Sequence, residues 1–332
     1  MAAIDMIATR KIFVTGAAGM IGSNLVRDLL SRDEIVIGVD NFWRGRRENI
    51  QAYFSNDNFT FYESDLTLDT NWCLDMNSND ILIHVADIVA GIGYVFGNEW
   101  RVFQENVKIN SAIAVATERQ KPSKLIYLGT ACSYPQQLQR SVEDSVLREE
   151  DKYPADPESG YGWSKLIGEI EFQLVVQKLH TRLITLDLHN VYGWPCVYND
   201  ATSQVIPALI NRAIESESGE LDVWGDGTQG RAFLHVSDVV SAIAAAIDYE
   251  GDLANFMIGP SKCTTIQHVA ELLANNQDLP IERINYDKDK PTGDIGRYAD
   301  ASQAKEHLKW EPTSDLDFEI ARLVEAIIND RK

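Results

Sequence analysis

Basic residues are scarce in this sequence. The 332 residues include 30 lysines and arginines against 50 aspartates and glutamates, which gives a net charge of -20 and a sequence pI of about 4.6. Nucleic acids and anionic membranes attract basic surfaces, so neither is an expected partner. A phosphate ligand is not excluded, because a few local arginines or a helix N-terminus can bind phosphate inside an acidic protein.

Cysteines and long apolar runs are also few. The 4 cysteines form no C-x-x-C pair, and no histidine joins them at metal-binding spacing, which argues against a disulfide framework and a zinc site. We therefore expect no metal and a reducing compartment. No apolar run approaches the roughly 18 residues of a membrane-spanning helix, and the first ten residues do not resemble a signal peptide. The expected location is cytoplasmic.

Short β-rich runs alternate with helical patterns in the first part of the chain. A helix is predicted over Ile21–Leu30, where Ile21, Leu25 and Leu29 recur at helical spacing, and a longer helical region ends at about Gln120. The predicted strands are Lys11–Thr15, Glu34–Val39, Phe59–Glu63, Ile81–Val85, Lys124–Leu128 and Arg182–Leu188. Strands separated by helices predict an α/β fold with a doubly wound parallel sheet of the Rossmann type.

A glycine-rich segment, VTGAAGMIGS, joins the first strand to the first helix. Its Gly16, Gly19 and Gly22 permit a tight turn and let the backbone approach a pyrophosphate, which the helix N-terminus also attracts. A glycine motif alone is weakly specific. Here a strand precedes it and a helix follows it, which is the required context, so the segment predicts a dinucleotide site.

Charged residues after the second strand bear on the choice of dinucleotide. Asp40 ends that strand, where a carboxylate binds the adenosine ribose hydroxyls of NAD and repels the 2′-phosphate of NADP. Arg44, Arg46 and Arg47 follow and could instead hold that phosphate. The balance favours NAD. Asp65, after the third strand, is a candidate for contact with the adenine, and an ordinary turn aspartate is the alternative.

Tyr161 and Lys165 stand at i and i+4 in the segment YGWSK, so they share one face of a predicted helix. A lysine ammonium beside a phenol, with a positive nicotinamide nearby, is expected to lower the pKa of the phenol. Tyr161 would then serve as a general base for a hydroxyl group. Thr130 follows the fifth strand, at the edge where a parallel sheet opens its crevice. We interpret these three residues as catalytic.

The alternation of strands and helices breaks after Gly193, in a stretch rich in Trp, Pro, Asn, Asp and Ser. We predict an NAD-binding Rossmann domain over residues 10–190, to which residues 230–260 return. A smaller mixed α/β lobe over residues 191–229 and 261–330 is expected to bind the substrate.

These motifs, in this order and over nearly the whole chain, resemble the NAD-dependent epimerase/dehydratase family of extended short-chain dehydrogenases/reductases. The resemblance extends to the segments VDNFWRGRREN, HVAD, LGTACSYP, HNVYG, VWGDGTQGRAFLHVSDVV and RYADASQAKEHLKWEP. It implies an isomerase of carbohydrate metabolism that acts on a GDP- or UDP-linked sugar. It also implies a homodimer, formed through a four-helix contact that includes the Tyr161 helix.

Two branches of the family are most similar, the GDP-mannose 3,5-epimerases and the GDP-L-fucose synthases. In both, a cysteine near the catalytic threonine is an acid/base in epimerisation, and Cys132 occupies that position; a packing cysteine is the alternative. Both branches pair it with a lysine or histidine just before the proline of the VIPAL segment, where this chain has Gln204 and Val205. The departure disfavours double 3,5-epimerisation and leaves a single epimerisation or simple 4-epimerisation.

The resemblance also implies which residues contact the two ligands. For NAD they are Gly16, Gly19, Met20, Ile21, Gly22, Asp40, Asn41, Asp65, Leu66, Val85, Ala86, Asn106, Tyr161 and Lys165. For the sugar nucleotide they are Gly91, Gly93, Asn190, Val205, Arg231 and Arg297. A turn-forming asparagine and ordinary ion pairs are the alternatives for Asn190 and the two arginines.

The expected reaction is epimerisation through a transient 4-keto sugar. Tyr161 takes the proton of the C4 hydroxyl, Thr130 hydrogen-bonds the same oxygen, and Lys165 holds the nicotinamide ribose. Cys132 would move a proton at a neighbouring carbon. The alternatives are a 4-keto-sugar reductase or epimerase/reductase that consumes NAD(P)H and, more remotely, a non-catalytic NAD-binding scaffold, a kind of protein that commonly lacks the tyrosine or the lysine.

Overall fold

The computed structural model describes residues 10–143, 145–252, 254–290 and 293–332. Its strands are β1 Lys11–Thr15, β2 Ile35–Asp40, β3 Phe59–Glu63, β4 Ile81–His84, β5 Lys124–Thr130, β6 Val146–Leu147, β7 Arg182–Leu188, β8 Asn190–Tyr192, β9 Glu220–Trp224, β10 Gly230–Arg231, β11 Phe233–His235, β12 Asn255–Ile258, β13 Thr264–Thr265, β14 Arg283–Asp287 and β15 Tyr298–Ala299. Its helices are α1 Met20–Ser31, α2 Ile92–Gly97, α3 Glu99–Gln120, α4 Gly160–Val176, α5 Val205–Glu215, α6 Val236–Asp248, α7 Ile266–Ala274 and α8 Leu316–Asp330.

A parallel sheet of 7 strands forms the centre of the fold, in the order β12-β7-β5-β4-β1-β2-β3. Every neighbouring pair in it is parallel, which confirms the predicted doubly wound Rossmann architecture. From β1 the chain builds outwards through β2 and β3 and then crosses to β4 on the other side. The strand order therefore reverses between β1 and β4, and a crevice opens there at the carboxyl ends of the strands.

The predicted elements agree closely with the observed ones. β1, β3 and β7 have the predicted bounds, and the other predicted strands shift by one or two residues at an end. β5 runs to Thr130, so this threonine is the last residue of the strand and does not follow it. The long helical region before Gln120 is two helices, because the chain bends at Asn98 between α2 and α3.

The two faces of the sheet bury separate apolar clusters. Leu25, Val26 and Leu29 of α1 are almost fully buried with α6 against one face. Ile113 of α3 and Phe172 of α4 are buried against the other face. The burial of one apolar side chain of this size stabilises the folded state by about 1.5–3 kcal/mol. This covering on both faces explains why the central strands are apolar throughout and lack alternation.

A third apolar cluster lies in the C-terminal part of the chain, where α5, α7 and α8 cover the parallel pair β9 and β14. β12 belongs to the central sheet, beside β7, although it follows much of this cluster in sequence. A cofactor domain and a substrate lobe, with residues 230–260 returning to the first, stay our proposal. The apolar clusters do not follow its bounds throughout, because Phe233 packs in the C-terminal cluster and Leu308 and Trp310 pack in a cluster of the central sheet.

Candidate active site

A cavity of about 710 Å³ opens along the carboxyl ends of the central strands. Its wall includes the segments that end or follow β1, β2, β3, β4, β5 and β7, the edge where open α/β sheets bind ligands. The predicted site residues that line it are Gly16, Gly19, Met20, Ile21, Gly22, Asp40, Asn41, Asp65, Leu66, Val85, Ala86, Thr130, Cys132, Tyr161, Asn190, Arg231 and Arg297.

Five of the predicted residues are not part of the cavity lining. They are Lys165, Asn106, Gly91, Gly93 and Val205, whereas their neighbours Ile88, Ile92 and Gln204 line the cavity. Asn106 is fully buried, and its amide is engaged with the backbone of Ile88, accepting at 2.6 Å and donating at 3.1 Å. Direct ligand contacts by these five residues stay predictions.

The glycine-rich turn leaves its backbone bare toward the cavity. Gly16 has φ +69°, a conformation that residues with a side chain rarely adopt. A Cβ on Gly22 would lie 2.0 Å from the Gly16 carbonyl oxygen, so only glycine permits this approach of α1 to the turn. Because α1 begins at Met20, its first N–H groups face the same space. The turn therefore fits a pyrophosphate.

Asp40 is fixed at the end of β2 by two backbone donors. Its carboxylate accepts from the N–H of Ala18 at 2.9 Å and from the N–H of Phe42 at 2.7 Å. Burial raises the pKa of Asp40, and these hydrogen bonds oppose the rise. Two backbone N–H groups therefore orient the carboxylate that we predict to bind the adenosine ribose.

The three arginines after β2 are each engaged away from Asp40. Arg47 pairs with Glu63 at 2.6 Å, and Arg46 pairs with Asp330 at 3.3 Å. Arg44 turns across the cavity and donates to the backbone carbonyls of Val89 and Thr202. None of these described contacts forms a pocket for a 2′-phosphate beside Asp40, so the geometry fits NAD better than NADP.

Tyr161 lies in the first turn of α4, directly against the turn that follows β5. Ser159 caps the helix by accepting from the N–H of Gly162 at 3.3 Å. A Cβ on Gly162 would lie 2.1 Å from the carbonyl oxygen of Cys132, so this glycine brings the two segments together. Thr130 accepts from the N–H of Cys132 at 3.2 Å, and all three candidate groups, Thr130, Cys132 and Tyr161, face the cavity.

Tyr161 and Lys165 both contact the carboxylate of Asp87. Lys165 does not bond the phenol; its ammonium lies 3.0 Å from Oδ2 of Asp87, and the Tyr161 hydroxyl donates to the same oxygen at 3.3 Å. Burial, followed by the charge of Asp87, raises the pKa of Tyr161 well above its ordinary value. Lys165 thus pairs with Asp87 in this arrangement, and the lowering of the phenol pKa by Lys165 together with a positive nicotinamide stays a prediction.

Cys132 has a cationic neighbour that the sequence did not reveal. Arg297 Nη2 donates to the Cys132 sulfur at 3.0 Å, while Nη1 donates to Gln139 at 2.5 Å and to Asp294 at 2.7 Å. The position before the VIPAL proline offers no cation, as the sequence indicates. The cation comes instead from the segment before β15, more than a hundred residues away along the chain.

Arg231 and Glu158 complete the polar end of the cavity. Arg231 donates to the carbonyl of Asp294 at 2.7 Å, and its burial and then the nearby Arg297 lower its pKa to about 10, so it stays charged at neutral pH. Burial and then the carboxylate of Asp294 raise the pKa of Glu158 to about 6. Sequence reasoning missed Asp87, Gln139, Glu158 and Asp294. Only Asp87 carried a signal, as a carboxylate just after a central strand.

A buried ionic cluster supports the Thr130–Cys132 turn from beneath. Lys152 is nearly inaccessible and pairs with Glu169 at 2.6 Å and with Asp187 at 2.7 Å. Asp187 also accepts from the hydroxyl of Tyr134 at 2.8 Å, just past the turn. Burial lowers the pKa of Lys152, but the two carboxylates outweigh that effect and raise it, and their ion pairs connect the turn to α4 and β7.

Comparison with known proteins identifies the family. The model of the NAD-dependent epimerase/dehydratase family matches residues 12–259, well over half of the chain. The protein belongs to the NAD-dependent epimerase/dehydratase family. GDP-mannose 3,5-epimerase 1 of Oryza sativa subsp. indica is 28% identical over 312 residues, which cover 92% of this chain and 78% of that protein.

Two solved structures are also similar to this member of the family. One is UDP-glucose 4-epimerase of Thermotoga maritima, solved with UDP-glucose, at 25% identity and TM-score 0.83, covering 97% of this chain and 100% of that one. The other is UDP-glucuronic acid 4-epimerase of Bacillus cereus, solved with UDP-glucuronic acid and NAD, at 26% identity and TM-score 0.82, covering 96% and 99%. These similarities confirm the sequence-based family and fold.

The cofactor of this family is NAD, as the sequence predicted. The residues present fit it: the bare turn at Gly16 and Gly22 suits the pyrophosphate, and Asp40 suits an unphosphorylated ribose. Among the described residues, no helix combines the length and apolar character needed to cross a bilayer. Within the same ranges, no three His, Cys, Asp or Glu side chains gather as metal ligands would.

Proposed function

We propose that the protein is a nucleotide-sugar epimerase that works through a transient 4-keto sugar. The observation that carries the proposal is the meeting of Thr130, at the end of β5, and Tyr161, on α4, on one cavity that also holds the glycine-rich turn. The glycine-rich turn and Asp40 would hold NAD, which would supply the hydride acceptor and donor for the sugar carbon. The side chains of the protein hold the sugar and move its proton.

The two hydroxyl side chains have separate roles. Tyr161 takes the proton of the C4 hydroxyl when that carbon is oxidised and returns it when the carbonyl is reduced. Thr130 hydrogen-bonds the same oxygen, and its bond from the Cys132 N–H keeps its side chain oriented. Lys165, nearly fully buried, fixes the site from behind through Asp87 and lies over the ring of Tyr127 at 4.5 Å.

The polar end of the cavity supports a nucleoside diphosphate as the activating group. Arg231 and Arg297 supply two buried guanidinium groups there, and Asn190 lines the same cavity. A planar guanidinium suits the oxygens of a diphosphate. One relative acts on a GDP-sugar and the similar structures hold UDP-sugars, so both nucleotides belong in any test.

A second candidate is proton exchange beside the ketone, which would epimerise C3 or C5. The observation that favours it is the 3.0 Å contact between Arg297 and the Cys132 sulfur. In this candidate Cys132 exchanges the proton that the neighbouring ketone makes acidic, and Arg297 orients its sulfur. Arginine stays protonated, so it cannot itself supply the second proton. This candidate therefore involves one epimerisation per ketone.

Proton NMR in deuterated water distinguishes the two candidates. The protein is incubated with GDP-mannose and a panel of GDP- and UDP-sugars, and the products are assigned. A C4 isomer without deuterium supports hydride transfer alone. Deuterium at C3 or C5 of a new isomer supports the Cys132 route, and Cys132→Ser should then abolish exchange. No isomer from any sugar would count against the proposal.

The number of NADH or NADPH molecules consumed per product distinguishes a reductase from an epimerase. An epimerase returns its hydride, so added NADH is not consumed during turnover. If a 4-keto sugar is offered and one NADH or NADPH disappears per product, the protein is a reductase or an epimerase/reductase.

We also propose a second copy of the chain as partner. On α4, Trp163, Ile167, Ile170 and Leu174 are exposed at spacings that put them on one face, next to α3. Four large apolar side chains in one stripe are typical of an interface. Two such helix pairs would form the four-helix contact expected from the sequence.

A further inference from the structure

The side chain of Arg44 crosses the cavity from the cofactor side to the opposite wall. Its backbone lies on the glycine-rich turn, because a Cβ on the next residue, Gly45, would lie 2.7 Å from the carbonyl carbon of Ala18. Its guanidinium donates to the backbone carbonyl of Val89, after β4, and to that of Thr202, before α5. Arg44 therefore connects the turn that fits a pyrophosphate with two segments of the opposite wall.

The two carbonyls that accept from Arg44 belong to segments that hold each other. The N–H of Gly91 donates to the carbonyl of Thr202 at 3.1 Å. A Cβ on Gly91 would lie 2.2 Å from the carbonyl oxygen of Ser203, so the chain after β4 and the chain before α5 touch through their backbones. The guanidinium therefore has a fixed position on the cavity wall.

The charge of Arg44 has no counter-charge in contact with it. In the part of the chain that the structure describes, its hydrogen bonds go to neutral carbonyls, and Asp87 and Asp200 act on it through their charge without forming an ion pair. The other two arginines of the same segment each pair with a carboxylate. A guanidinium removed from water without an ion pair is costly, so this point of the cavity is electrostatically suited to an anion.

Donors of Arg44 remain for a ligand. Within the described ranges, its Nη1 is engaged with Val89 and its Nη2 with Thr202, and an arginine carries more N–H donors than these contacts use. The planar guanidinium suits phosphate oxygens, which it binds through two donors at once. The side chain is turned away from Asp40, where a 2′-phosphate would lie, so the expected anion is a diphosphate.

We propose that Arg44 binds a diphosphate in this cavity and slows its release. Two ligands carry one: NAD, whose pyrophosphate fits the glycine-rich turn next to Arg44, and a sugar nucleotide. The first source rests on the cofactor of the family, and the second rests on the proposed function. A diphosphate between the turn and the guanidinium supplies the missing counter-charge, and the side chain, held at Val89 and Thr202, closes over it.

The first test measures the release of NAD and needs no sugar. The protein is loaded with isotope-labelled NAD and mixed with an excess of unlabelled NAD, and the loss of label gives the dissociation rate. Arg44→Gln keeps an amide that can donate to a carbonyl but removes the charge. If NAD is the ligand, release should be at least about tenfold faster in this variant, because a charge-assisted hydrogen bond is lost.

The second test measures the affinity of the NAD-loaded protein for GDP and UDP by calorimetry. If a sugar nucleotide is the ligand, Arg44→Gln should weaken the binding of GDP or UDP by at least about tenfold, and effects in both tests support both ligands. NAD release and nucleotide affinities that all equal those of the unchanged protein would overturn the proposal. If the unchanged protein binds neither GDP nor UDP, the proposed epimerase function fails, while NAD release still decides whether Arg44 binds a diphosphate.

Two further variants separate the charge of Arg44 from a structural role. Arg47→Gln removes an arginine of the same segment that pairs with Glu63 and is not part of the cavity lining, so it should match the unchanged protein in both measurements. Arg44→Lys keeps the charge and should recover part of the loss. A loss in Arg44→Lys as large as that in Arg44→Gln would contradict the assignment, because the charge would then have no effect on binding.

Discussion

Arg297 donates to the sulfur of Cys132 across 3.0 Å, although the two residues are 165 positions apart in the chain. The branches that this chain resembles place a lysine or histidine beside the equivalent cysteine. Here a permanently charged guanidinium approaches from the segment before β15, in a site closed by Asp294 and Gln139. The site therefore retains a positive charge beside the thiol, and Arg297, unlike a lysine or histidine, is not a second group that exchanges protons.

Replacing Arg297 should destabilise the protein as a whole. Its side chain and that of Asp294 are each 7% exposed, so Arg297→Met leaves a buried carboxylate without its cation. We expect a loss of about 3–5 kcal/mol in the free energy of unfolding, measured with urea. Arg297→Met combined with Asp294→Asn should lose less than the sum of the single changes. A single-variant loss below about 0.5 kcal/mol would show that the pair is not buried as described.

The glycine turn offers a matched comparison for cofactor binding. In Gly22→Ala the new Cβ would meet the Gly16 carbonyl oxygen at 2.0 Å, whereas Gly97 has nothing within 4 Å of an added Cβ. Gly22→Ala should weaken NAD binding by at least about tenfold in calorimetry, because the turn must open. Gly97→Ala should bind NAD as the unchanged protein does. Equal affinities in all three proteins would contradict the assigned role of the turn.

How far the sequence predicts this structure depends on the range of the interactions. The strands, α1 and the glycine turn were predictable because their signals lie in short windows, and Asp40 was predictable from its place after β2. The engagement of Lys165 by Asp87 was not, because it depends on how β4 and α4 meet across the sheet. The pairing of Cys132 with Arg297 likewise needs the C-terminal segment to fold back over β5. In both cases the sequence identifies Lys165 and Cys132 as candidates, but tertiary packing determines which side chain each of them contacts.

Acid should destabilise the fold through its buried histidines. Burial lowers the pKa of His84 and of His189 to about 3 in the folded protein, while an unfolded chain binds the proton near the ordinary value of 6.5. The unfolded state therefore gains protons first, and stability falls as pH drops below about 6.5. At pH 5 the cost is on the order of 2 kcal/mol for each histidine.

The comparison of variants isolates one histidine from the other titrating groups. Unfolding by urea at pH 7 and pH 5 should show a smaller loss in His84→Asn than in the unchanged protein. The two losses in the free energy of unfolding between pH 7 and pH 5 should differ by on the order of 2 kcal/mol. An identical loss in both proteins would mean that His84 titrates normally in the fold.

The exposed stripe of α4 predicts a dimer that one charge can break. Ile167→Glu places a carboxylate in the centre of the stripe, and we expect it to convert the dimer to a monomer by light scattering, because a charge buried in an apolar interface lacks a partner. Phe318→Glu on α8, where Phe318 is 61% exposed outside the stripe, is the control and should remain dimeric. A monomeric unchanged protein would remove the basis for this interface.

The most direct measurement of the central claim compares the protein with its Tyr161→Phe variant on the panel of GDP- and UDP-sugars, following products by NMR and total NADH by absorbance. We predict a new C4 isomer from at least one sugar with no net change in NADH. In Tyr161→Phe its rate of formation should fall by at least about 100-fold, with NAD still bound. Isomer formation that is equally fast in Tyr161→Phe would contradict the account, and so would the absence of any isomer from the unchanged protein.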